Sequence, residues 1–322
     1  MKFLFLYLNF LICFSTLLDQ VRIKVVDQTL LKLPKRGEID ILKMSLEMSN
    51  AKKEKSMNDA ESAYLVYKWI GQNIEYDCLG NKFGNSTTLP ATTYKEGKGG
   101  DVGISGLFNT ICGFLNIESN TIFGIKKTVS RNYTNNLIDI NEYAWNYISI
   151  DNKYYLLDVT SSVGSCSGIR FYRDQRDEYF GIDPELSIRH RFPNDKKWQL
   201  LPNPITENKF KLQAILNGNL TKYIKSITPD VQTIRNQRNM KITLTLKDPN
   251  ITKLIILESD EIENELPLIG FDKEVSVVNG NCSIIVDPFG HGYIYIHISA
   301  KNGDKTEKYG SITFECIYDK NS

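Results

Sequence analysis

Residues 98 to 123, KGGDVGISGLFNTICGFLNIESNTIF, set the reading of the whole chain. A glycine turn at Gly99-Gly100 opens a run in which Leu107, Phe108, Ile111, Cys112, Phe114 and Leu115 cover nearly the whole circumference of a helix ending near Asn116. A helix that is apolar all round is surrounded by protein. Its first residue, Asp101, stands in the positive end of the helix, a position from which a fold can activate a nucleophile.

Upstream, DAESAYLVYKWIGQNIEYD places Ala63, Val66, Tyr67 and Ile70 at helical spacing behind Asn58 or Asp59, either able to cap. Residues 19–57 read as a lead-in and linker: a β-like run VRIKVV, then an amphipathic piece IDILKMSLEM. Downstream, Tyr143–Ile150 and Tyr154–Val159 are β-runs joined by Asp151-Asn152-Lys153, a hairpin signal. Beyond Pro202 and Pro204 come KITLTL, LIIL, EVSVV, CSIIV, YIYIHIS and SITFECIY, whose spacing fits a β-sandwich.

The chain has 322 residues, enough for two ordinary domains, and a net charge of +1 with both signs interspersed. That balance argues against a nucleic-acid footprint and against attraction to an anionic membrane. Residues 1–18, MKFLFLYLNFLICFSTLL, have one lysine and then a short apolar run, the pattern of a cleaved secretory leader rather than a stable membrane span. A secreted, extracellular protein follows as the expectation, and the sequons at Asn85, Asn132, Asn219, Asn250 and Asn281 become usable glycosylation sites.

Beyond Cys13 the chain keeps five cysteines, so at least one thiol is unpaired. Cys282 is in phase with Ile284 and Val286, and Cys316 with Ile312 and Phe314, which suggests a Cys282–Cys316 disulfide across the sandwich. The three histidines are scattered and make no metal-ligand spacing, so no metal or cofactor is expected.

Taken together, the helix, glycine turn, buried helix and hairpin resemble the core of the transglutaminase-like superfamily, specifically its kyphoscoliosis-peptidase-like branch, over roughly residues 60 to 202. The family pattern is K-G-V-C-x-G-Y-x-x-L-F at the nucleophile helix, H-A-W-N on the next strand and L-V-D-x-T-W on the strand after it. Here those stretches are KGGDVGISGLF, YAWN and LLDVTS. YFGIDPELSIRHRFPNDKKWQLL is similar to the family's closing run, keeping Asp183-Pro184-Glu185, Phe192-Pro193, Asp195 and Trp198-Gln199-Leu200-Leu201.

The resemblance implies an α+β fold: a transglutaminase-like (papain-like) core at 58–205 and an immunoglobulin-like β-sandwich at 206–322. It places the family's cysteine nucleophile on Asp101, its histidine base on Tyr143 and its orienting aspartate on Asp158. Acyl transfer needs a thiolate formed by passing a proton to an imidazole that titrates near neutrality. A carboxylate attacking an amide would give an anhydride less stable than the bond it broke. A tyrosine with an ordinary pKa near ~10 is a poor base at neutral pH. The expectation is therefore an inactive member in which Asp101 caps its helix and Tyr143 donates to Asp158. Such a protein would act as a protein-binding or structural module for a partner the sequence does not name. The alternative is a divergent cysteine-type peptidase or protein-glutamine acyltransferase with another nucleophile.

Overall fold

The computed structural model describes residues 17–129, 138–218, 220–248, 250–259, 273–286, 293–302 and 305–317. The expected leader as far as Thr16 and the sequons at Asn132 and Asn219 lie outside the described residues. The chain folds as two compact units, each drawn from separate stretches of sequence: Met1–Thr121 with Trp145–Gly181, and Ile122–Ala144 with Ile182–Ser322. The boundaries read from sequence, by contrast, are linear.

The first unit is mainly helical. Three helices, α1 (Ile23–Leu30), α2 (Ile41–Glu54) and α3 (Asp59–Asn73), lead into a short parallel pair, β1 (Glu75–Tyr76) and β2 (Lys98–Gly99). Between those strands lie α4 (Cys78–Lys82) and α5 (Pro90–Glu96), and after them the buried helix α6 (Asp101–Phe114). VRIKVV, whose alternation suggests a strand, is instead the entry to α1. Arg22 at its N-cap donates from Nε and from its backbone N–H to Glu61 Oε1 at 2.5 and 3.0 Å. Glu61 also closes the capping box of α3, where Asn58 Oδ1 accepts from the Glu61 N–H at 2.8 Å and Glu61 Oε2 from the Asn58 N–H at 3.0 Å. Tyr64, Tyr67, Trp69 and Ile70 of α3 share one core with Leu107, Phe108, Ile111 and Cys112 of α6.

The strands β3 (Ser119–Val129) and β4 (Ile138–Ile150) each have one end in each unit. In the first unit the C-terminal half of β4 pairs antiparallel with β5 (Lys153–Leu157), through a turn with φ of 50° at Asp151 and 61° at Asn152. Two left-handed residues in a two-residue hairpin match the right-handed strand twist, which is why an Asp-Asn pair sits there. The helix α7 (Val159–Val163) and the hairpin β6 (Gly164–Ser167) and β7 (Arg170–Arg173) follow, then β8 (Phe180–Ile182).

In the second unit β3 pairs with β9 (Arg191–Pro193), which follows α8 (Pro184–His190). After α9 (Glu207–Leu212), β10 (Ile215–Gly218) and α10 (Leu220–Tyr223) come β11 (Ile224–Thr228), β12 (Thr233–Arg235), β13 (Met240–Leu246), β14 (Lys253–Ser259), β15 (Lys273–Ser276), β16 (Asn281–Val286), β17 (Tyr293–Asn302) and β18 (Lys305–Ile317). They form a six-stranded sheet, β10-β18-β17-β14-β15 with β12 also on β18, and a three-stranded sheet, β11-β13-β16. Ile242, Leu244 and Ile284 of the smaller sheet share a core with Ile296, Ile298, Ile312 and Phe314 of the larger. This is the expected sandwich, so the chain is α+β.

The expected Cys282–Cys316 disulfide is not formed. Both thiols face the core, as their phase requires, but they are free and lie on strands of different sheets, Cys282 beside Leu244 and Cys316 beside Ile234. Phase fixes the face of a strand and says nothing of the height along it. The disulfide present is Cys78–Cys166, joining α4 to β6.

Candidate functional site

The site is built on the N-terminal turn of α6. Close approach of neighbouring backbone shapes it: a side chain at Gly103 would bring a Cβ within 2.6 Å of the Thr87 carbonyl oxygen, so only glycine lets that loop press on the first turn. The N-cap is Gly100, which makes no side-chain cap bond, and Asp101 is the first helical residue. Asp101 is therefore in the first turn of the helix and not at the N-cap position expected from sequence. Its carboxylate acts through the helix dipole, an effect of about 0.3–1 kcal/mol.

Asp158 ends β5 and starts α7. It is wholly buried; its Oδ1 accepts from the Ser161 N–H at 2.7 Å, and its own N–H donates to Tyr179 O at 3.0 Å. The residue that the family pattern assigns to orienting a histidine is thus a helix cap. Thr160, the second residue of α7, donates its hydroxyl to the Asp101 carbonyl oxygen at 3.5 Å, tying the two helices together. Burial, and then the charges of Asp101, Asp158 and Asp77, raise the pKa of Tyr76 well above a tyrosine's ordinary value. Asp101 and Asp158 thus both act electrostatically on one phenol that the sequence reading did not single out.

Tyr143 lies on β4 in the second unit. Lys126 Nζ stands 4.1 Å from its ring centroid, a cation–π contact from the neighbouring stretch of β3. Three residues on, the last position of YAWN has a structural task. Asn146 is wholly buried, and its Nδ2 donates to Ser105 O at 3.1 Å and to Asn109 Oδ1 at 3.0 Å, while Asn109 Nδ2 donates to Thr121 Oγ1 at 2.8 Å. Trp145 beside it is buried, as a core anchor should be.

No described cysteine presents a reactive thiol. Cys112 is wholly buried and its pKa is pushed far above the ordinary value by that burial. Burial likewise raises Cys282, Cys316 is buried, and the remaining two are bonded to each other. His190, the last residue of α8, is held neutral: burial and the positive charges of Arg191, Lys126 and Lys127 lower its pKa to about 3, and its Nε2 donates to Leu216 O at 2.7 Å. Among the described residues no three His, Cys, Asp or Glu side chains group to hold a metal ion, and no helix is long and apolar enough to cross a membrane.

The closing run also consists of residues with structural work. Asp183 caps α8 by accepting from the Glu185 N–H at 2.7 Å, with Pro184 in the first turn. Asp195 accepts from the Lys197 N–H at 3.1 Å. Gln199 closes a ring with Ile205, donating to its O at 2.9 Å and accepting from its N–H at 2.8 Å. Sequence reasoning missed the continuation: Gln213 Nε2 donates to Ile188 O at 2.6 Å, and Arg189 pairs with Asp230 at 2.5 Å.

Residues 47–159 match the model of the transglutaminase-like superfamily. Kyphoscoliosis peptidase of Homo sapiens is 24% identical over 270 residues, covering 82% of this chain and 40% of that protein. The Lim and transglutaminase domain protein ltd-1 of Caenorhabditis elegans is 21% identical over 240 residues, covering 69% of this chain and 32% of its own. The chain therefore spans about two fifths or less of the length of these relatives. A solved structure described as a TGase aligns over 49% of this chain and 36% of its own, at 14% identity and a TM-score of 0.28. The matched region holds the capped helix α3, the glycine turn, α6, the YAWN strand and the Asp158 turn, and over it the chain is similar to the transglutaminase-like superfamily, with a longer similarity to kyphoscoliosis peptidase.

Proposed function

We propose that this chain is a secreted, catalytically inactive member of that family, acting as a protein-binding or structural module. One observation carries the reading: the helix end that takes a cysteine in the family pattern holds Asp101, and every described thiol is buried or tied in a disulfide. A thiol at that end would have its pKa lowered by the helix dipole and act as a nucleophile. A carboxylate there is stabilised by the same field and has no acyl chemistry open to it at an amide. Tyr143 at the histidine position supplies no imidazole. Secretion is supported by the apolar leader and by the Cys78–Cys166 bond, since disulfides persist in oxidising compartments.

The test is an activity assay on the secreted full chain, using a thiol-reactive probe, a glutamine-donor peptide with an amine acceptor, and a protein substrate for hydrolysis. No turnover and no labelling of the native protein is the expected result. Asp101-dependent turnover, or stoichiometric labelling of a single cysteine, overturns the reading. The Asp101→Cys, Tyr143→His double variant is the companion measurement, because acyl transfer restored in it shows that the chain still receives acyl substrates.

A further inference from the structure

Three described sequons are exposed, at Asn85, Asn250 and Asn281, and their amide nitrogens differ. Asn250 Nδ2 donates to Asp248 Oδ1 at 3.0 Å, and Asn281 Nδ2 to Asn279 O at 3.0 Å while Asn281 Oδ1 accepts from Thr245 at 2.8 Å. Asn85 is held only through its backbone, its N–H donating to Gly80 O at 2.8 Å. It sits in Phe83-Gly84-Asn85-Ser86-Thr87, where Gly84, at a φ of 69°, reverses the chain as α4 ends. Phe83 is 68% exposed and Leu89 63%, and Leu79 on α4 is 46% exposed, so bare apolar side chains stand on both sides of Asn85 in the sequence.

We infer that Asn85 carries an N-linked glycan and that Phe83 packs against the apolar face of its first sugar. A pyranose ring presents axial C–H groups on one face, and an exposed aromatic ring two residues before the acceptor is placed to stack on them. The glycan is thus the occupant of the apolar loop. Lys82 Nζ, 5.9 Å from the Phe83 centroid, is at the outer limit of a cation–π contact and is an exposed, flexible side chain that yields one ring face. In the covalent step Nδ2 of Asn85 forms a bond to the anomeric carbon of a lipid-pyrophosphate-linked oligosaccharide. The bond from that carbon to the pyrophosphate breaks, the lipid pyrophosphate leaves, and the amide nitrogen gives up one proton; nothing is oxidised or reduced.

The loop is also fixed in place. The Gly100 N–H donates to Thr87 O at 3.2 Å, and the same Thr87 oxygen bears on Gly103. A glycan on Asn85 therefore stands beside the N-terminal turn of α6, where Asp101 is, and screens that end of the helix from large partners.

The inference rests on the secreted reading above, and the experiment separates the two. The full chain is expressed in a eukaryotic secretory host, and glycopeptides from medium and cells are mapped by mass spectrometry. Asn85 occupied in the secreted protein is the expected result. Secreted protein with Asn85 bare overturns the inference alone, whereas protein retained in the cells with every sequon bare overturns both. For the stacking, Phe83→Ala is compared in the glycosylated chain and in the Asn85→Gln background. The expected Tm loss is about 2 °C with the glycan and none without it. An equal loss in both backgrounds assigns Phe83 to packing within the loop and refutes the contact.

Discussion

Lys127 offers the sharpest test of the energetics. It lies on β3 with 2% of its surface exposed; its Nζ donates to Gln213 O at 3.0 Å and stands 4.7 Å from the Phe210 ring centroid. Burial, and then the charge of Arg189, lower its pKa from 10.5 to about 7, against a weaker opposing effect of Asp230. At about 1.4 kcal/mol per unit, a charged Lys127 costs the fold as much as ~5 kcal/mol relative to the neutral amine. Between about pH 7 and 10.5 the unfolded chain keeps this proton while the folded chain sheds it, so Lys127 makes stability rise with pH by about 1.4 kcal/mol per unit. Below pH 7 both states are protonated and the dependence vanishes. Cys112 and the buried tyrosines work in the opposite sense above pH 8.5, since their folded pKa values are raised and the unfolded state ionises first. The quantity to measure is therefore a difference: urea unfolding of the wild type and of Lys127→Met at pH 6.5, 7.5, 8.5 and 9.5. The variant loses a hydrogen bond of about 1 kcal/mol and the contact with Phe210, yet sheds the buried charge. It should be the more stable protein at pH 6.5, with its lead shrinking by more than 2 kcal/mol by pH 9.5. Parallel stability curves for the two proteins would refute the argument.

Three further outcomes follow from single contacts. Leu17 is 1% exposed in the core of the first unit, so a chain beginning at Asp19 should be about 2–5 kcal/mol less stable than one beginning at Leu17; equal Tm values would show that Leu17 contributes nothing. Glu61→Ala removes a capping box and the bonds from Arg22, and should cost about 2 kcal/mol at pH 7. Because the Arg22 guanidinium holds the Glu61 carboxyl below its usual range, that contribution is fully present above the unfolded carboxyl value near 4.5 and is lost as pH falls from there through the lower folded value, so wild type and variant should converge in acid denaturation. Asn146→Leu breaks both bonds to α6 and leaves Ser105 O and Asn109 Oδ1 short of a donor; calorimetry should read a loss of about 1–3 kcal/mol, with no change expected if water replaces the amide.

What the sequence made legible were the features whose cause is local. Asn58 and Glu61 stand three apart ahead of an apolar periodic run, and the capping box is there. Asp151-Asn152 between two β-runs gave the hairpin, because both residues tolerate a positive φ. The apolar run gave α6, which is buried along Leu107, Phe108, Ile111 and Cys112, but Phe114 at its C-terminal end is exposed, so the helix is not covered all round. The failures have tertiary causes. VRIKVV alternates like a strand, but the helix it enters is set by the bonds of Arg22 to Glu61, 39 residues away. Cys78 and Cys166 are separated by 88 residues in turn-rich segments, and nothing local predicts their meeting. Tyr76 has no motif around it, and only its burial in the fold, with the charges of Asp101 and Asp158, perturbs its hydroxyl.

The site itself explains how such a frame can outlive its chemistry on the proposed reading. Each retained motif residue has a partner that does not depend on a thiolate: Asp158 holds the first turn of α7, Asn146 ties β4 to α6, and Asp183 and Gln199 fix the turns of the closing run. Removing Asp158, Asn146 or Gln199 would leave a buried or partly buried polar group unpaired at a cost of about 1–3 kcal/mol, a large share of a domain's net stability. Position 101 is different. It is the first residue of its helix, only half-buried, and the helix dipole favours any negative charge there, a carboxylate as well as a thiolate. On the proposed reading, a carboxylate in place of a thiolate at that one position costs the fold little while it removes the nucleophile of acyl transfer, so the same helix end accounts both for a lost chemistry and for a kept scaffold.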